Sequence, residues 1–178
     1  MVVVTIPFAM DPMKDVGAVE FVRLLKGLFK LRDIEHTLLY GNSIRSIVDV
    51  ETSEGRKTEY VLEFFSTLAS GEHDLHLNIR SYSPEVSVME DFDIALLYLE
   101  EVSNEDTYKA LFNSLDEICV PSIERGRYKG HFLSLASETL FDTPAINLYL
   151  NEGSVDLYPV LAEAVVDFVE SLAYQRMP

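Results

Sequence analysis

The spacing of apolar positions divides the chain into helices and strands. In residues 154–174, Leu157, Val160, Leu161, Ala164, Val165, Phe168, Val169 and Leu172 recur at the three-and-four spacing of one helical face, while Glu163, Asp167 and Glu170 occupy another. Ser154 and Asp156 offer oxygens to the first-turn amides, and Pro159 stands where a missing N–H costs little, so an amphipathic C-terminal helix is predicted. A second apolar face, Ala18, Phe21, Val22, Leu25, Leu28 and Phe29, predicts a helix ending near Leu31 and entered through Asp11 and Pro12. A third, Tyr108, Leu111, Phe112, Leu115, Ile118 and Cys119, follows the capping-box-like pair Ser103 and Asp106 and stops at Pro121.

The remaining periodic segments read as strands. Residues 2–8 are rich in β-branched side chains; residues 36–40, 43–51 and 57–67 follow as hairpins joined by Gly41-Asn42 and by the turn at 53–55. In residues 74–81, Leu75, Leu77 and Ile79 alternate with His76, Asn78 and Arg80, which predicts one dry and one solvated sheet face. Residues 94–99 form a continuous apolar run too short for periodicity to separate strand from helix. After a turn at 126–130, strands are predicted at 131–136 and 145–150. The expected class is α+β, an antiparallel β-sheet with three main helices packed on it, forming one domain over residues 1–178. Two halves, 1–90 and 94–178, are a second way to divide the same order.

Composition narrows the function. Apolar residues make up 48% of the 178 and aromatics 11%, which fits a packed core. A net charge of -16 argues against nucleic acid and anionic membrane surfaces, whose phosphates are met by Lys and Arg, and favours a protein partner with a basic surface. The single Cys119 excludes an internal disulfide framework, Met1-Val2-Val3-Val4 lacks a basic leader, and no apolar run reaches the length of a membrane span. A cytoplasmic location is the expectation.

Candidate chemistry is sparse. No Gly-x-Ser-x-Gly elbow, phosphate-binding glycine loop or dinucleotide fingerprint is present. Glu72, Asp74 and His76 would share one side of a strand and offer two carboxylates and an imidazole to a divalent ion, but a solvated sheet face accounts for them more simply. Cys119 and His131 lack the flanking residues of a nucleophile and base, and Cys119 fits its helix stripe. No catalytic residue, metal or cofactor is assigned. Two charge features stand out. From Glu85 to Glu117 ten acidic residues face Lys109 alone, among them Glu90, Asp91, Asp93, Glu100, Glu101, Glu105 and Asp106, a candidate docking surface for a basic partner. Arg23, Lys26 and Lys30 line one side of the first helix, a candidate self-association surface for a homodimer.

The order of helix, strands, helix, two strands and final helix from Ala18 onward resembles the type III secretion chaperone-like superfamily, including YbjN-type regulators. Gly130-His131-Phe132-Leu133-Ser134-Leu135, Ile146-Asn147-Leu148-Tyr149-Leu150 and residues 162–174 carry the likeness. It implies a non-enzymatic chaperone, adaptor or inhibitor that holds another protein, with no site residue transferred by motif. The alternative expectation is a small-molecule-binding module whose cleft is walled by Tyr60, Phe64, Phe65, Tyr82 and Tyr98.

Overall fold

The computed structural model describes residues 1–6, 16–41, 55–71, 73–85, 91–99, 105–126 and 132–175. The strand expected at 43–51 and the entry through Asp11 and Pro12 lie outside these residues. Strand β1 (Val2–Ile6) lies between β2 (His36–Tyr40) and β3 (Leu75–Tyr82), parallel to both. Parallel neighbours cannot be joined by a tight turn. The crossovers are helices, α1 (Val16–Leu31) between β1 and β2 and α2 (Gly55–Ala69) between β2 and β3. Strand β4 (Ile94–Leu99), helix α3 (Glu105–Asp116) and strand β5 (Pro121–Gly126) form another parallel pair with its helix. Helix α4 (Phe132–Leu140) then precedes β6 (Ala145–Asn151), and a 3-10 turn (Glu152–Leu157) leads into α5 (Tyr158–Gln175). The sheet order is β2-β1-β3-β6-β4-β5, with β6 parallel to β3 and antiparallel to β4.

Both faces of the sheet are covered. Leu75, Leu77, Ile79, Ile146, Leu148 and Leu150 point to one side, where α1, α3 and α5 bury Phe21, Leu25, Tyr108, Leu111, Leu161 and Val165 against them. Each large side chain fully removed from water there stabilises the fold by about 1.5–3 kcal/mol. The other side packs Val3 and Leu39 under Val61, Phe64 and Leu68 of α2 and Leu133 and Ala136 of α4. Where α1 and α5 cross, Gly17 permits the approach: a Cβ there would stand 2.5 Å from the Tyr158 hydroxyl. Phe21 meets the Tyr158 ring edge-on at 5.6 Å. Helix α1 ends on Asp33 in a left-handed conformation, φ 56, as the Ile34 amide donates back to the Phe29 carbonyl at 2.8 Å.

Helices packed on a sheet, with an amphipathic helix at the C-terminal end, agree with the pattern of the sequence. The sheet itself does not: it is mixed and mostly parallel, not antiparallel. The segments expected as strands at 57–67 and 131–136 fall, over their described residues, in helices α2 and α4, and β5 occupies the stretch where Pro121 was expected only to stop a helix. The face of β3 expected to be solvated is buried, with His76 at 0% and Asn78 at 3% exposure. Val160, placed on the inner face of the last helix by its spacing, is exposed, and Tyr158, Ala162 and Val166 are buried in its stead.

Candidate functional site

In an open sheet of parallel strands, ligands settle in the crevice outside the carboxyl ends, where strand direction or order switches. Here that place is the end of β3 and β6, beside the start of the reversed strand β4. On the side facing α1 and α5, its carboxylates are engaged in holding the elements together. Glu152 Oε1 accepts from the Ser81 hydroxyl at 2.6 Å and from the Gly17 amide at 3.3 Å. Asp93 accepts from the Ser154 hydroxyl at 2.5 Å and from the Val120 amide at 2.8 Å. Asn151 donates through Nδ2 to the Phe92 carbonyl at 2.9 Å and accepts from the Gly153 amide at 2.8 Å.

The opposite side of the same edge is different in kind. Parallel register places Arg80 beside Tyr149, and antiparallel register places Tyr149 beside Ala95. The Arg80 guanidinium carbon lies 4.8 Å from the centre of the Tyr82 ring, and Tyr82 meets Tyr149 edge-on at 5.3 Å. Ala95, Leu97 and Tyr149 form a small buried apolar cluster against which Tyr82 packs. Behind this group runs a buried polar seam. Thr5 Oγ1 lies 2.8 Å from His76 Nε2 and donates to Asn78 Oδ1 at 3.1 Å. Asn78 Nδ2 donates to Asn147 Oδ1 at 2.8 Å, which also accepts from the Ser134 hydroxyl of α4 at 2.6 Å. Pairing of β4 with β6 reaches Leu97 and Asn147, and there the Asn147 amide donates to the Tyr108 hydroxyl at 3.1 Å. With Thr5 donating to Asn78, its oxygen receives the proton of His76 Nε2; Nδ1 is buried and has no hydrogen-bond partner. Burial lowers the His76 pKa to about 3.

The sequence-predicted metal set does not assemble. Asp74 pairs with the amino group of Met1 at 2.5 Å, His76 is committed to the seam, and Glu72 lies outside the described residues. Among the described residues no three His, Cys, Asp or Glu side chains converge as metal ligands. His36, His73 and His76 all sit at or before the amino ends of β2 and β3, away from the carboxyl edge. The Cys119 thiol, close to the Leu115 carbonyl at 3.5 Å, is pushed up to about 12 by burial and by Asp93 and Asp116, so it is no ready nucleophile; His131 lies outside the described residues. Of the acidic docking set, Asp91, Glu105 and Asp106 are exposed and Asp93 faces inward, while Glu90, Glu100 and Glu101 lie outside the description. Arg23, Lys26 and Lys30 are exposed along α1. Of the expected aromatic wall, Phe64 is core and stacks 5.1 Å from His76, Phe65 is half-buried, Tyr82 stands at the crevice, and the Tyr60 and Tyr98 side chains lie outside the description. Arg80 was visible only as a wet-side position; the overlooked signal is a cation two residues before an aromatic at the end of a parallel strand.

A cavity of about 430 Å³ opens at the other end of the sheet, between the turn after α1 and the end of α5. Several of its charges are already matched: Arg32 is held by Glu163, Asp167 and Glu170, and Asp74 by Met1. That makes it a gap beside two structural ion-pair groups, and the carboxyl edge the better candidate.

No family model matches the chain, and no curated protein does. Solved structures do. The N-acetylmuramyl-L-alanine amidase Ami1 of Mycobacterium abscessus aligns with a TM-score of 0.62 at 12% identity, over 97% of this chain and 98% of that one. The CwlD amidase of Clostridioides difficile, solved in complex with the GerS lipoprotein, aligns at 0.60 and 9%, over 97% and 98%. A metallo-carboxypeptidase of Burkholderia cenocepacia aligns at 0.60 and 12%, over 96% of this chain and 57% of that one. These likenesses overturn the resemblance to the secretion chaperone-like and YbjN-type proteins, and with it the expectation of a non-catalytic chaperone, adaptor, inhibitor or plain ligand module, because the neighbours are enzymes. At the described part of this edge, Glu152 and Asp93 are both engaged in hydrogen bonds to neighbouring elements. From end to end, the fold of this chain is the fold of those amidase domains.

Proposed function

We propose that the chain is an amide hydrolase whose reaction centre lies in the crevice at the carboxyl ends of β3 and β6. The observation that carries this reading is the end-to-end match: nearly all of this chain superposes on nearly all of two amidases, with no large insertion or missing layer on either side. The reaction is addition of water across an amide to give a carboxylic acid and an amine. What this chain's own residues contribute is a shaped edge. Glu152, Ser81 and Gly17 lock α1 to the ends of β3 and β6, Asp93 and Ser154 lock the start of β4, and on the other side Arg80 packs on Tyr82, which meets Tyr149 edge-on.

The test is incubation of the purified chain with an N-acetylmuramoyl-L-alanyl peptide, with chelator and separately with added zinc, followed by mass spectrometry of the products. The expected result is a free peptide amine and the matching acid in stoichiometric amounts. Intact substrate under every condition, together with intact simpler N-acyl amino acids, sinks the proposal.

A further inference from the structure

We infer that the exposed flank of α1 bearing Arg23, Lys26 and Lys30 is a docking surface for a second copy of this chain, seated on the carboxylates of the other copy's α5 in a two-fold dimer. The chain holds thirty acidic residues against fourteen basic ones, yet none of these three exposed cations is paired with a carboxylate among the described residues. Gly27 stands among them on the helix surface, beside Lys26 and one turn from Arg23 and from Leu31. Glycine is the least favourable residue after proline inside a helix, and a Cβ at this position would meet nothing within 4 Å, so the chain's own packing does not require it. What the bare backbone provides is a shallow seat, rimmed by three cations and by Leu31 at 80% exposure, in which another surface can come close. The matching surface lies on the same layer. Helices α1 and α5 run side by side in the same direction, since Gly17 meets Tyr158 at their starts and Arg32 meets Glu163, Asp167 and Glu170 further along. One guanidinium against three carboxylates leaves an excess of two negative charges on α5, and Glu163 and Asp167 keep 49% and 64% of their side-chain surface in water. A two-fold axis along the helices sets α1 of each copy over α5 of the other, so that cations meet carboxylates twice; an axis across the helices would set ridge on ridge. Exposed pairs each add little, and the net charge of -16 on each copy opposes the approach, so the dimer is a weak one whose partners are chosen by local charge. Neither surface includes a residue of the crevice, so association and hydrolysis are measured apart.

The experiment is sedimentation velocity over a concentration series at moderate salt, on the unaltered chain, on Lys26→Glu, on Gly27→Gln and on the double variant Lys26→Glu with Asp167→Lys. The expected result is a reversible dimer of the unaltered chain, weakened about tenfold or more in both single variants and recovered at least in part in the double variant, whose net charge equals that of the unaltered chain. Gly27→Gln changes no charge and has room in the single chain, so loss of dimer with an unchanged or raised melting temperature separates the contact from folding and from net charge. A monomer at every concentration overturns the inference, as does a dimer equally tight in Gly27→Gln and in the unaltered chain. Growth into larger species with concentration also overturns it, because a two-fold contact closes on itself. A double variant no tighter than Lys26→Glu removes the pairing of α1 with α5, and the two-fold arrangement with it.

Discussion

His76 sits in the middle of the sheet with its proton on Nε2, a neutral hydroxyl and two amides for company, and the Phe64 ring 5.1 Å away. Nothing in that seam welcomes a positive charge, and burial is what lowers the pKa to about 3 from an ordinary 6.5. The sign of the consequence follows from proton counting. In the unfolded chain His76 takes up a proton as the pH falls through about 6.5, whereas the folded chain refuses it until about 3. Its contribution to stability is therefore full above about pH 6.5 and is lost progressively below, by about 1.4 kcal/mol per pH unit. Urea unfolding at pH 7 and pH 5 should show a fall of about 2 kcal/mol from this residue. His76→Gln keeps a donor for Thr5 but has no proton to gain, so its stability at neutral pH should be similar or modestly lower and the acid slope much flatter. An unchanged slope in the variant would place the acid sensitivity elsewhere.

At the scale of elements, helix α4 carries a second titrating group of opposite sense. Glu138 accepts from the Ala145 amide at 3.0 Å, tying the helix to the start of β6, and burial pushes its carboxyl up to about 7. An acid whose folded pKa is raised is favoured folded when protonated, so stability declines as the pH rises from about 4.5 to about 7. Glu138→Gln keeps an acceptor for Ala145 and removes the charge; allowing for solvent screening of a half-exposed side chain, it should stabilise the chain by about 1 kcal/mol at pH 8 and by nothing at pH 4. Thermal melts at the two pH values decide it, and equal shifts at both would mean the gain is unrelated to ionisation. Helix α4 also marks the limit of what the pattern reveals. The apolar stripes of α1, α3 and α5 were plain because each buries a continuous face. In α4, Ser134 and Ser137 are fully buried as hydrogen-bonding groups, which breaks the helical stripe and leaves Phe132, Leu133 and Leu135 looking like a strand. In α2 the true stripe, Val61, Phe64 and Leu68, is built partly of β-branched and aromatic residues that read as strand formers. Taking that crossover helix for a strand turned a parallel connection into an expected hairpin, and reading α4 as a strand while missing β5 hid the parallel pairs of the other half as well. The crevice was illegible for a related reason: Arg80, Tyr82 and Tyr149 meet only because β3 and β6 are parallel neighbours, 69 positions apart at Arg80 and Tyr149.

For the molecule as a whole, the dominant electrostatic fact is self-repulsion. Thirty acidic residues against fourteen basic ones leave a net charge of -16, and compaction brings those carboxylates together. One local arrangement runs against this trend. Glu163, Asp167 and Glu170 lie along one stripe of α5, and the guanidinium of Arg32, at the end of α1, bonds all three, at 2.5 Å to Glu163 and 2.8 Å to Glu170. Donating to the Asp167 and Glu170 carboxylates raises the already high pKa of Arg32, so its guanidinium stays charged at every working pH. Salt screens both the clamp and the general repulsion, and the two respond in opposite directions. The repulsion involves many more charges than the clamp, so the urea midpoint of the unaltered chain should rise as sodium chloride is raised from low to moderate concentration. Arg32→Gln leaves three carboxylates on one helical stripe without their cation. Its midpoint should be lower than that of the unaltered chain at low salt, and the gap should narrow as salt is added, because screening relieves the new local repulsion while weakening the clamp it is compared with. A midpoint of the unaltered chain that falls with salt would show instead that short-range pairs such as this clamp outweigh the net charge. A gap that stays constant with salt would show that Arg32 acts through the packing of its aliphatic stem between α1 and α5.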